Sequence, residues 1–515
     1  MGNNSRSILV AKNTGIMFIR MILLMGIGLY TSKEVLRILG ISDYGIYNLI
    51  GTLVVMFSFL QTALNNATTR YITFDLGVGN ENKLKKTFSM SLNSEILLAL
   101  IIIILSEIFG PWFIENKLNI PTDRLHISHI VFQISLINLI INIIKTPYNS
   151  VVIAHEHFNF FAYISIIEGI SKLVIVYMLT ICSLDKLITY SILQVCITMI
   201  IFLIQIIYSY HHFSETHYKF YWDNKLLKNI SKYSGYSLLV NIADLAVVQS
   251  INIFFNIFSG VVANAALGIA NQVNTHINNF LGNFSQSYTP QIIKSYASND
   301  NNYFMNLIFS TSKLSYFLYF GMSFPIMLNI DYILELWLHE IPQNTPLFLC
   351  LIIGYGIFDS FSQPLWCSVH ATGNLRVHQI LMSSIKILNI PISFILLKNN
   401  YPLYSVLIVY VILNFICSIV RIWWLSILIK LDTKKYYKEV ILNLIKITFI
   451  SIPVPIIISL LVTNECVSLI SSCLMFGLIY TSSIYFLALN DSEIQIVNHL
   501  LKKIKLVITQ IKSSK

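Results

Sequence analysis

The sequence LITYSILQVCITMIIFLIQIIYSY at residues 187–210 decides the fold class, because it contains no Asp, Glu, Lys or Arg. A helix of about 20 apolar residues crosses the ~30 Å hydrocarbon core of a bilayer. Similar apolar runs, such as residues 88–110 and 403–429, recur along the whole chain of 515 residues. Only 11% of the residues are charged, whereas a soluble domain has about 25%. The composition therefore excludes an ordinary soluble enzyme and predicts a polytopic membrane protein.

Fourteen segments have this apolar character, and they predict an all-α fold with 14 transmembrane helices. The first segment contains Arg20 and lacks a small-residue cleavage site after it, so we expect an uncleaved helix. The eighth segment is unusually polar. The predicted spans are residues 14–32, 44–67, 88–110, 127–153, 161–182, 187–210, 233–258, 263–288, 304–328, 345–369, 379–397, 403–429, 444–463 and 467–489.

The distribution of charge predicts the orientation of the chain, whose formal net charge is +10. About 21 Lys and Arg lie in segments on the side of the N-terminus and about 6 on the other side, so the positive-inside rule places both termini in the cytoplasm. The basic residues are scattered among short loops, which argues against a nucleic-acid partner. The seven cysteines show no metal-ligand spacing, so we expect no disulfide framework, no metal and no other cofactor.

A weak internal repeat divides the chain into two halves. Residues 40–93 match residues 260–313 about 220 positions later without a gap, and Pro147 and Pro364 continue the pattern. Six spans separate equivalent positions, so the halves should be parallel and related by an axis along the membrane normal. The predicted domains are an N-terminal lobe at 1–210 (spans 1–6), a cytoplasmic linker at 211–232, a C-terminal lobe at 233–443 (spans 7–12), spans 13–14 at 444–489 and a basic cytoplasmic tail at 490–515.

Basic residues inside the predicted spans are the first candidates for a binding site. A charged side chain at mid-bilayer costs roughly 2.5–3.5 kcal/mol, so such residues usually face protein or water. The two shallowest, Arg20 and Lys386, alternatively extend to the cytoplasmic interface. Lys313 and Arg421 are deeper and lack an obvious local partner, which favours a cavity. The basic candidates are Arg20, Lys145, Lys172, Lys313, Lys386 and Arg421, with Lys446 near a span boundary.

Two of these basic residues have acidic neighbours that offer an alternative, structural role. Lys172 follows Glu168 by four positions on one predicted helix, where the two charges can neutralise each other. Lys145 can pair with Glu95 on the preceding predicted helix. Taken together, the interior is still net cationic. An excess of Arg and Lys suits an anionic passenger such as a diphosphate, because Arg binds its oxygens bidentately and Lys acts as a point charge.

Two polar features inside the second half have competing interpretations. Asp244 lies in the middle of span 7, where an unpaired carboxylate is expensive. It either couples a cation or proton to transport or forms an ion pair with Lys386 or Arg421. Span 8 carries amides at helical spacing, which suit a wet cavity that contacts sugar hydroxyls but also hold helices together in lipid. These amides are Asn271, Asn274 and Asn278.

Four short motifs resemble one known family. RILGISDYGIY at residues 37–47 resembles the R-x-L-G-x-x-x-Y-G loop of polysaccharide-exporting flippases. WLHEIP at residues 337–342 resembles their W-L-G-x-x-P segment, with His339 in place of the usual Gly. ATGNLR at 371–376 and PISFILLK at 391–398 also resemble the family. The resemblance extends over about the first 430 residues and is to the Wzx-type branch of the multidrug/oligosaccharidyl-lipid/polysaccharide (MOP) exporter superfamily.

The resemblance implies a flippase, not an enzyme, that moves an undecaprenyl-diphosphate-linked oligosaccharide across the bacterial inner (cytoplasmic) membrane. This passenger would be the repeat unit of O-antigen or of another surface polysaccharide. The partners implied are membrane lipid, the lipid-linked oligosaccharide substrate, a polysaccharide polymerase and a chain-length regulator. Our hypothesis is alternating access around one cavity between the lobes. The residues expected to hold the diphosphate are Arg20, Lys172, Lys313, Lys386 and Arg421.

Three rival functions fit a membrane protein of this kind. A peptidoglycan-precursor flippase also has 14 spans and a cationic cavity. A multidrug exporter of the same superfamily generally has 12 spans and uses acidic residues, so spans 13 and 14 and the basic interior argue against it. A membrane polysaccharide polymerase or ligase usually presents a large outward loop, whereas the outward loops here are short.

Overall fold

The structure is a computed structural model, and it describes residues 3–116, 118, 120–182, 184–338, 341–490, 493–495 and 498. Position 339 of the WLHEIP motif and most of the predicted tail lie outside the described residues. The helices of the N-terminal lobe are α1 Asn3–Val78, α2 Glu81–Asn116, α3 Leu125–Ala154, α4 Phe158–Ile181 and α5 Lys186–His212. Those of the C-terminal lobe are α6 Asn224–Ser259, α7 Val261–Ala297, α8 Asn301–Leu328, α9 Ile330–Trp337, α10 Thr345–Thr372, α11 Arg376–Ile387, α12 Asn389–Lys398 and α13 Tyr404–Leu428. The last helices are α14 Thr433–Tyr436, α15 Leu442–Ser451, α16 Pro453–Leu461 and α17 Glu465–Ser483.

Spans 1 and 2 form one long helix, α1, that is bent at Gly40. Gly40 has φ 77° and ψ 168°, a conformation that essentially only glycine adopts. The sequence predicts a loop at residues 33–43, but the helix continues through most of it. One reason is that Arg37 pairs with Glu34 one turn earlier at 2.6 Å, which supports helix in place of loop.

Predicted spans 11 and 13 are interrupted, and predicted span 9 is followed by a sharp bend. α8 and α9 meet at Asn329, directly after span 9, with a bend of 79°. Span 11 is divided into α11 and α12, and span 13 at 444–463 is divided into α15 and α16, which α14 and a π-helical turn precede. Among the described residues, 11 helices are long and apolar enough to cross a membrane, or 12 if α8 and α9 form one bent span. The polar α7 is not among them, although it is helical throughout.

Left-handed backbone positions confirm the internal repeat. Gly40 and Gly260 both have φ 77°, and each lies before the second span of its lobe, which is the second half of α1 in one lobe and α7 in the other. The connection after that helix contains Gly79 (φ 77°) in one lobe and Asn299 (φ 57°) in the other. Further along, Glu156 (φ 62°) corresponds to Gly373 (φ 76°). The members of each pair are about 220 residues apart, so the two halves repeat the same breaks in the same order.

Successive helices alternate in direction, so their connections lie on two opposite faces. One face, called the terminus face, carries the connections at residues 79–80, 155–157, 213–223, 298–300, 373–375 and 429–432. Each lobe has its own hydrophobic core, with Phe132 in the first and Phe255 in the second. A further apolar cluster joins the lobes near the terminus face, where Ala67 of α1 packs with Tyr288 and Ile292 of α7.

The last four helices are attached to the C-terminal lobe through α8. Tyr480 of α17 donates a hydrogen bond to the Phe317 carbonyl oxygen at 2.9 Å. The hydroxyls of Tyr316 and Thr448 lie 2.6 Å apart. The molecule is therefore two lobes with repeated topology, one of which carries additional helices.

Candidate functional site

A polar cavity of about 560 Å³ lies inside the N-terminal lobe. It is formed by both halves of α1 with α3, α4 and α5, and it contains two of the predicted basic residues, Arg20 and Lys172. The packing of α4 against α1 is close, because a Cβ atom at Gly169 would lie 2.8 Å from Leu24 Cδ2. The other polar residues of the lining are Thr31, Ser32, Tyr47, Asn138, Ser165, Glu168, Tyr190 and Gln194.

The charges of this N-lobe cavity are two basic groups and one carboxylate. Lys172 Nζ donates to Glu168 Oε1 at 2.8 Å, so the predicted neutralising pair is present. Arg20 lies over the Phe161 ring at 4.5 Å and donates to Met17 Sδ at 3.6 Å. Its Nε has no hydrogen-bond partner among the described residues. The cavity therefore keeps a positive excess.

The C-terminal lobe contains a second cavity, of about 240 Å³, in the equivalent place. It lies between α6, α10, α11 and α13, which correspond in the repeat to the first half of α1 and to α3, α4 and α5. Lys386 Nζ donates to Asp244 Oδ1 at 2.6 Å. Arg421 is buried and donates to the Ser362 carbonyl oxygen at 3.3 Å and to His378 Nε2 at 3.4 Å. The other polar residues that line this C-lobe cavity are Asn241, Tyr355, Asp359, Gln363, Trp366 and Gln379.

The two cavities have inverted arrangements of charge. α4 and α11 begin at equivalent positions, Phe158 and Arg376, so Glu168 and Lys386 occupy the same place in the two helices. The first helix of each lobe supplies a residue of the opposite charge. Asp244 forms the ion pair with Lys386 at 2.6 Å, whereas Arg20 only interacts electrostatically with Glu168, whose ion pair is with Lys172. With Arg421 and Asp359 added, the C-lobe cavity has as many carboxylates as basic groups.

Asp244 and Asp359 show what could and could not be predicted for the C-lobe cavity. Of the two interpretations of Asp244, the ion pair with Lys386 is present. Asp359 was missed, although it is a carboxylate in the middle of span 10. An inventory of every acidic residue inside the predicted spans would have found it.

The prediction that five basic residues share one chamber is wrong. Arg20 and Lys172 line one cavity, and Lys386 and Arg421 line the other. Lys313 lines neither, because its side chain is 1% exposed and its Nζ lies 2.9 Å from Glu493 Oε2 near the start of the tail. It also donates to the Ala488 carbonyl oxygen at 3.1 Å. The reason is that α17 covers this face of α8, which the spacing along the chain does not reveal.

The remaining polar candidates lie outside both cavities. Asn274 accepts a hydrogen bond from Tyr319 Oη at 2.8 Å, which joins α7 to α8 and fits the helix-packing interpretation. Asn271 is half-buried and Asn278 is exposed on the same helix. Lys446 is exposed on α15.

The predicted pairing of Lys145 with Glu95 is wrong. Glu95 is fully buried and accepts a hydrogen bond from Thr68 at 3.3 Å. Lys145 instead interacts electrostatically with Glu168. The two carboxylates lie on neighbouring helices of the same lobe, and only the packing of α3 decides which of them Lys145 faces.

No family model matches the sequence, and no curated protein matches it. Solved structures do share its fold. A crystal structure of MATE in the bent conformation has a TM-score of 0.72 at 13% identity, covering 84% of this chain and 99% of that chain. The outward-facing conformation of a multidrug resistance MATE family transporter of the MOP superfamily has a TM-score of 0.69 at 14% identity, covering 82% and 95%.

A third solved structure is a MOP superfamily transporter from Pyrococcus furiosus. It has a TM-score of 0.67 at 12% identity, covering 84% of this chain and 98% of that chain. That protein is described as having a binding pocket of reverse polarity that suggests a different function. At these identities the similarity concerns the fold, so the chain has the two-lobed all-helical MATE-like fold.

Proposed function

We propose that this protein is a bacterial inner-membrane flippase that moves an undecaprenyl-diphosphate-linked oligosaccharide by alternating access. The fold supports transport, because its similar solved structures are described as transporters or as MATE. The four motifs that resemble Wzx-type flippases support the substrate class. In this proposal both termini are cytoplasmic, the lobes rock while the diphosphate of the substrate is held in the N-lobe cavity, and no covalent chemistry occurs.

The observation that carries the proposal is the positive excess in the N-lobe cavity. Arg20 and Lys172 both line this cavity, and Lys172 is 39% exposed, so both can contact an anionic group that enters it. A guanidinium and an ammonium together suit a diphosphate. The neutral amides of Asn138 and Gln194 can bind sugar hydroxyls beside it. The polyprenyl tail would remain in the bilayer.

The C-lobe cavity favours a second candidate function, export of cationic compounds. It contains Asp244, Asp359 and the aromatic rings of Tyr355 and Trp366. Carboxylates and aromatic faces both attract organic cations. We rank this function second, because Lys386 and Arg421 balance the two carboxylates and leave the C-lobe cavity without a negative excess.

The proposal is tested by transport in proteoliposomes. Undecaprenyl-diphosphate-linked oligosaccharide with a fluorescent sugar is placed in one leaflet, and its arrival in the other is followed with a membrane-impermeant quencher. We expect Arg20→Gln/Lys172→Gln to slow transport ~10-fold or more, because each charge-assisted hydrogen bond contributes about 1.5–3 kcal/mol. Lys446→Gln, which removes an exposed Lys outside the cavities, is the matched control.

Unchanged transport in the Arg20/Lys172 double variant would contradict the assigned site. Transport of a cationic dye by the same vesicles, abolished by Asp359→Asn and unaffected by Arg20→Gln/Lys172→Gln, would favour the second function. Polymerised product from the purified protein and a lipid-linked oligosaccharide would instead identify an enzyme.

A further inference from the structure

Arg70 of the N-terminal lobe binds the end of a helix in the other lobe. Its Nη2 donates to the Ala371 carbonyl oxygen at 3.0 Å, in the last turn of α10. The guanidinium lies so close to Gly373 that a Cβ atom there would be 2.7 Å from Nη2. Arg70 is only 8% exposed. A cation at a helix C-terminus is attracted by the partial negative charge of the last carbonyls.

The C-terminal lobe makes the reciprocal contact with the loop after α3. Lys294 Nζ and Gln291 Nε2, both on α7, each donate to a carboxylate oxygen of Glu156 at 2.6 Å. The Glu156 side chain is 5% exposed and Lys294 is 24% exposed, so water screens this ion pair little. Glu156 holds its carboxylate in this place with a left-handed backbone.

The two contacts are related by the internal repeat. Arg70 lies in the last turns of α1, whose second half is span 2, and Gln291 and Lys294 lie in the last turns of its counterpart, α7. Their targets, Glu156 and Gly373, are the equivalent left-handed residues after α3 and α10, the fourth span of each lobe. Each lobe therefore holds the same part of the other lobe, and both contacts lie at the terminus face.

Close packing accompanies the two contacts. A Cβ atom at Gly77 would lie 2.9 Å from both Ala297 Cβ and Lys294 Cα, so α1 and α7 touch through their backbones here. The Tyr71 and Tyr233 rings, one from each lobe, meet edge to face at 6.0 Å. The lobes are thus in contact at the terminus face.

We propose that these two contacts, Arg70 with the end of α10 and Glu156 with Lys294, form a double latch that holds the terminus face of the transporter closed. Opening this face requires both contacts to break. The latch rests on the proposed alternating access, but not on the identity of the substrate. Because the contacts are equivalent in the repeat, each alone keeps the lobes together when the other is removed.

The latch is tested by distances between spin labels in the full-length protein without substrate. The seven native cysteines are replaced by Ser or Ala, and labels are attached at Asn82 and Asn302, two exposed equivalent positions at the terminus face. We expect Arg70→Gln/Glu156→Gln to raise the ratio of a long-distance to a short-distance population ~10-fold or more, within the usual range of coupling between sites. Either single variant should shift this ratio less than half as far on a logarithmic scale.

Two further variants distinguish a broken latch from poor folding: a control outside the latch, and a double variant in which the charges of Glu156 and Lys294 are exchanged. Lys435→Gln removes an exposed ion pair within the terminus face of one lobe and should leave the distances unchanged. Glu156→Lys/Lys294→Glu should restore the short distance that Glu156→Lys alone lengthens. An unchanged distribution in Arg70→Gln/Glu156→Gln would overturn the latch. Since no substrate is present, a shifted distribution supports the latch even where the vesicles move no lipid-linked oligosaccharide.

Discussion

Lys313 illustrates how a buried charge can be mistaken for a ligand-binding residue. Its ammonium group is satisfied by Glu493 and by the Ala488 carbonyl oxygen. We predict that Glu493→Gln lowers the free energy of unfolding by about 3–5 kcal/mol, because it leaves a buried ammonium without its counter-charge. Lys313→Met/Glu493→Leu should recover most of this loss and retain transport. Thermal unfolding in detergent and the vesicle assay measure the two effects.

A substrate-binding role for Lys313 predicts the opposite result for the double variant. In that case the protein would be stable but would not transport. The comparison therefore separates stability from binding at one residue.

His157 at the terminus face predicts a pH dependence. Burial, His155, His212 and Lys294 lower the pKa of His157 from its ordinary value of 6.5. The folded protein thus binds this proton less readily than the unfolded chain, so the free energy of unfolding falls as the pH drops below about 6.5. His157→Gln should flatten the profile between about pH 7.5 and 5.5. Intrinsic tryptophan fluorescence during thermal unfolding at each pH measures it.

Glu215 is the internal reference for this measurement. Burial raises the pKa of Glu215, but the hydrogen bond from His155, a backbone hydrogen bond and nearby positive charge together lower it below 4.5. Its contribution to stability is present above about pH 4.5 and is lost as the pH falls through its folded pKa. A slope that persists above pH 5.5 in His157→Gln would therefore assign the effect to another group.

The partners of single residues were predicted most directly where they are near in sequence, although the distant pair of Asp244 and Lys386 was one of two stated interpretations. The pair of Glu168 and Lys172 follows from helical spacing. The partners of Lys145 and Lys313 depend on which helices pack together, and one sequence does not contain this information in readable form. Asp359 was within reach of sequence reasoning, since its span was predicted.

At the scale of elements, Gly40 and Gly260 are the clearest joints of the fold. Gly40 has ψ 168° and Gly260 has ψ −167°, so both lie in a region essentially closed to other residues. We predict that Gly40→Ala or Gly260→Ala lowers the free energy of unfolding by about 1–3 kcal/mol. Thermal unfolding measures the change.

Gly45→Ala is the matched control for the two joints. Gly45 lies in the helical part of α1, and a Cβ atom there would have no neighbour within 4 Å. Alanine is the better helix former, so this variant should unfold at the same or a higher temperature. Equal destabilisation by all three variants would show that the backbone conformation is not the cause.

Most helices could be predicted, because hydropathy is a local property of the sequence and the repeat compares one stretch of sequence with another. Each predicted span coincides with helical structure, and the left-handed positions in the structure follow the order of the predicted repeat. The bend at Asn329, directly after the predicted end of span 9, and the break between α11 and α12 within span 11 were not predicted. They depend on what packs beside the helix, as Asn329 donates to Ser472 of α17 at 3.2 Å.

At the scale of the whole molecule, Gly77 lies where α1 and α7 of the two lobes cross closely. We predict that Gly77→Val lengthens the distance between labels at Asn82 and Asn302, because no side chain fits between α1 and Ala297. Gly282→Val is the control, since a Cβ atom there has no neighbour within 4 Å. Equal distances in the two variants would mean that this crossing does not determine how the lobes meet.

The two-cavity arrangement was beyond sequence reasoning. Composition showed an excess of basic residues, and the repeat showed two lobes. These two observations led to the hypothesis of one chamber. They do not reveal that Arg20 and Arg421 each line a cavity within their own lobe. The inversion of charge between Glu168 and Lys386 becomes visible only when α4 and α11 are aligned.

Glu156 and Gly373 are equivalent left-handed positions of the repeat, but they contact the opposite lobe in different ways. In the N-terminal lobe this position carries the Glu156 carboxylate, which binds Gln291 and Lys294. In the C-terminal lobe it is Gly373, and the missing side chain leaves room for the guanidinium of Arg70. Among related chains, a residue larger than Gly at position 373 should therefore appear only together with a smaller one at position 70. Such paired substitutions would show that the two duplicated halves evolved these contacts together.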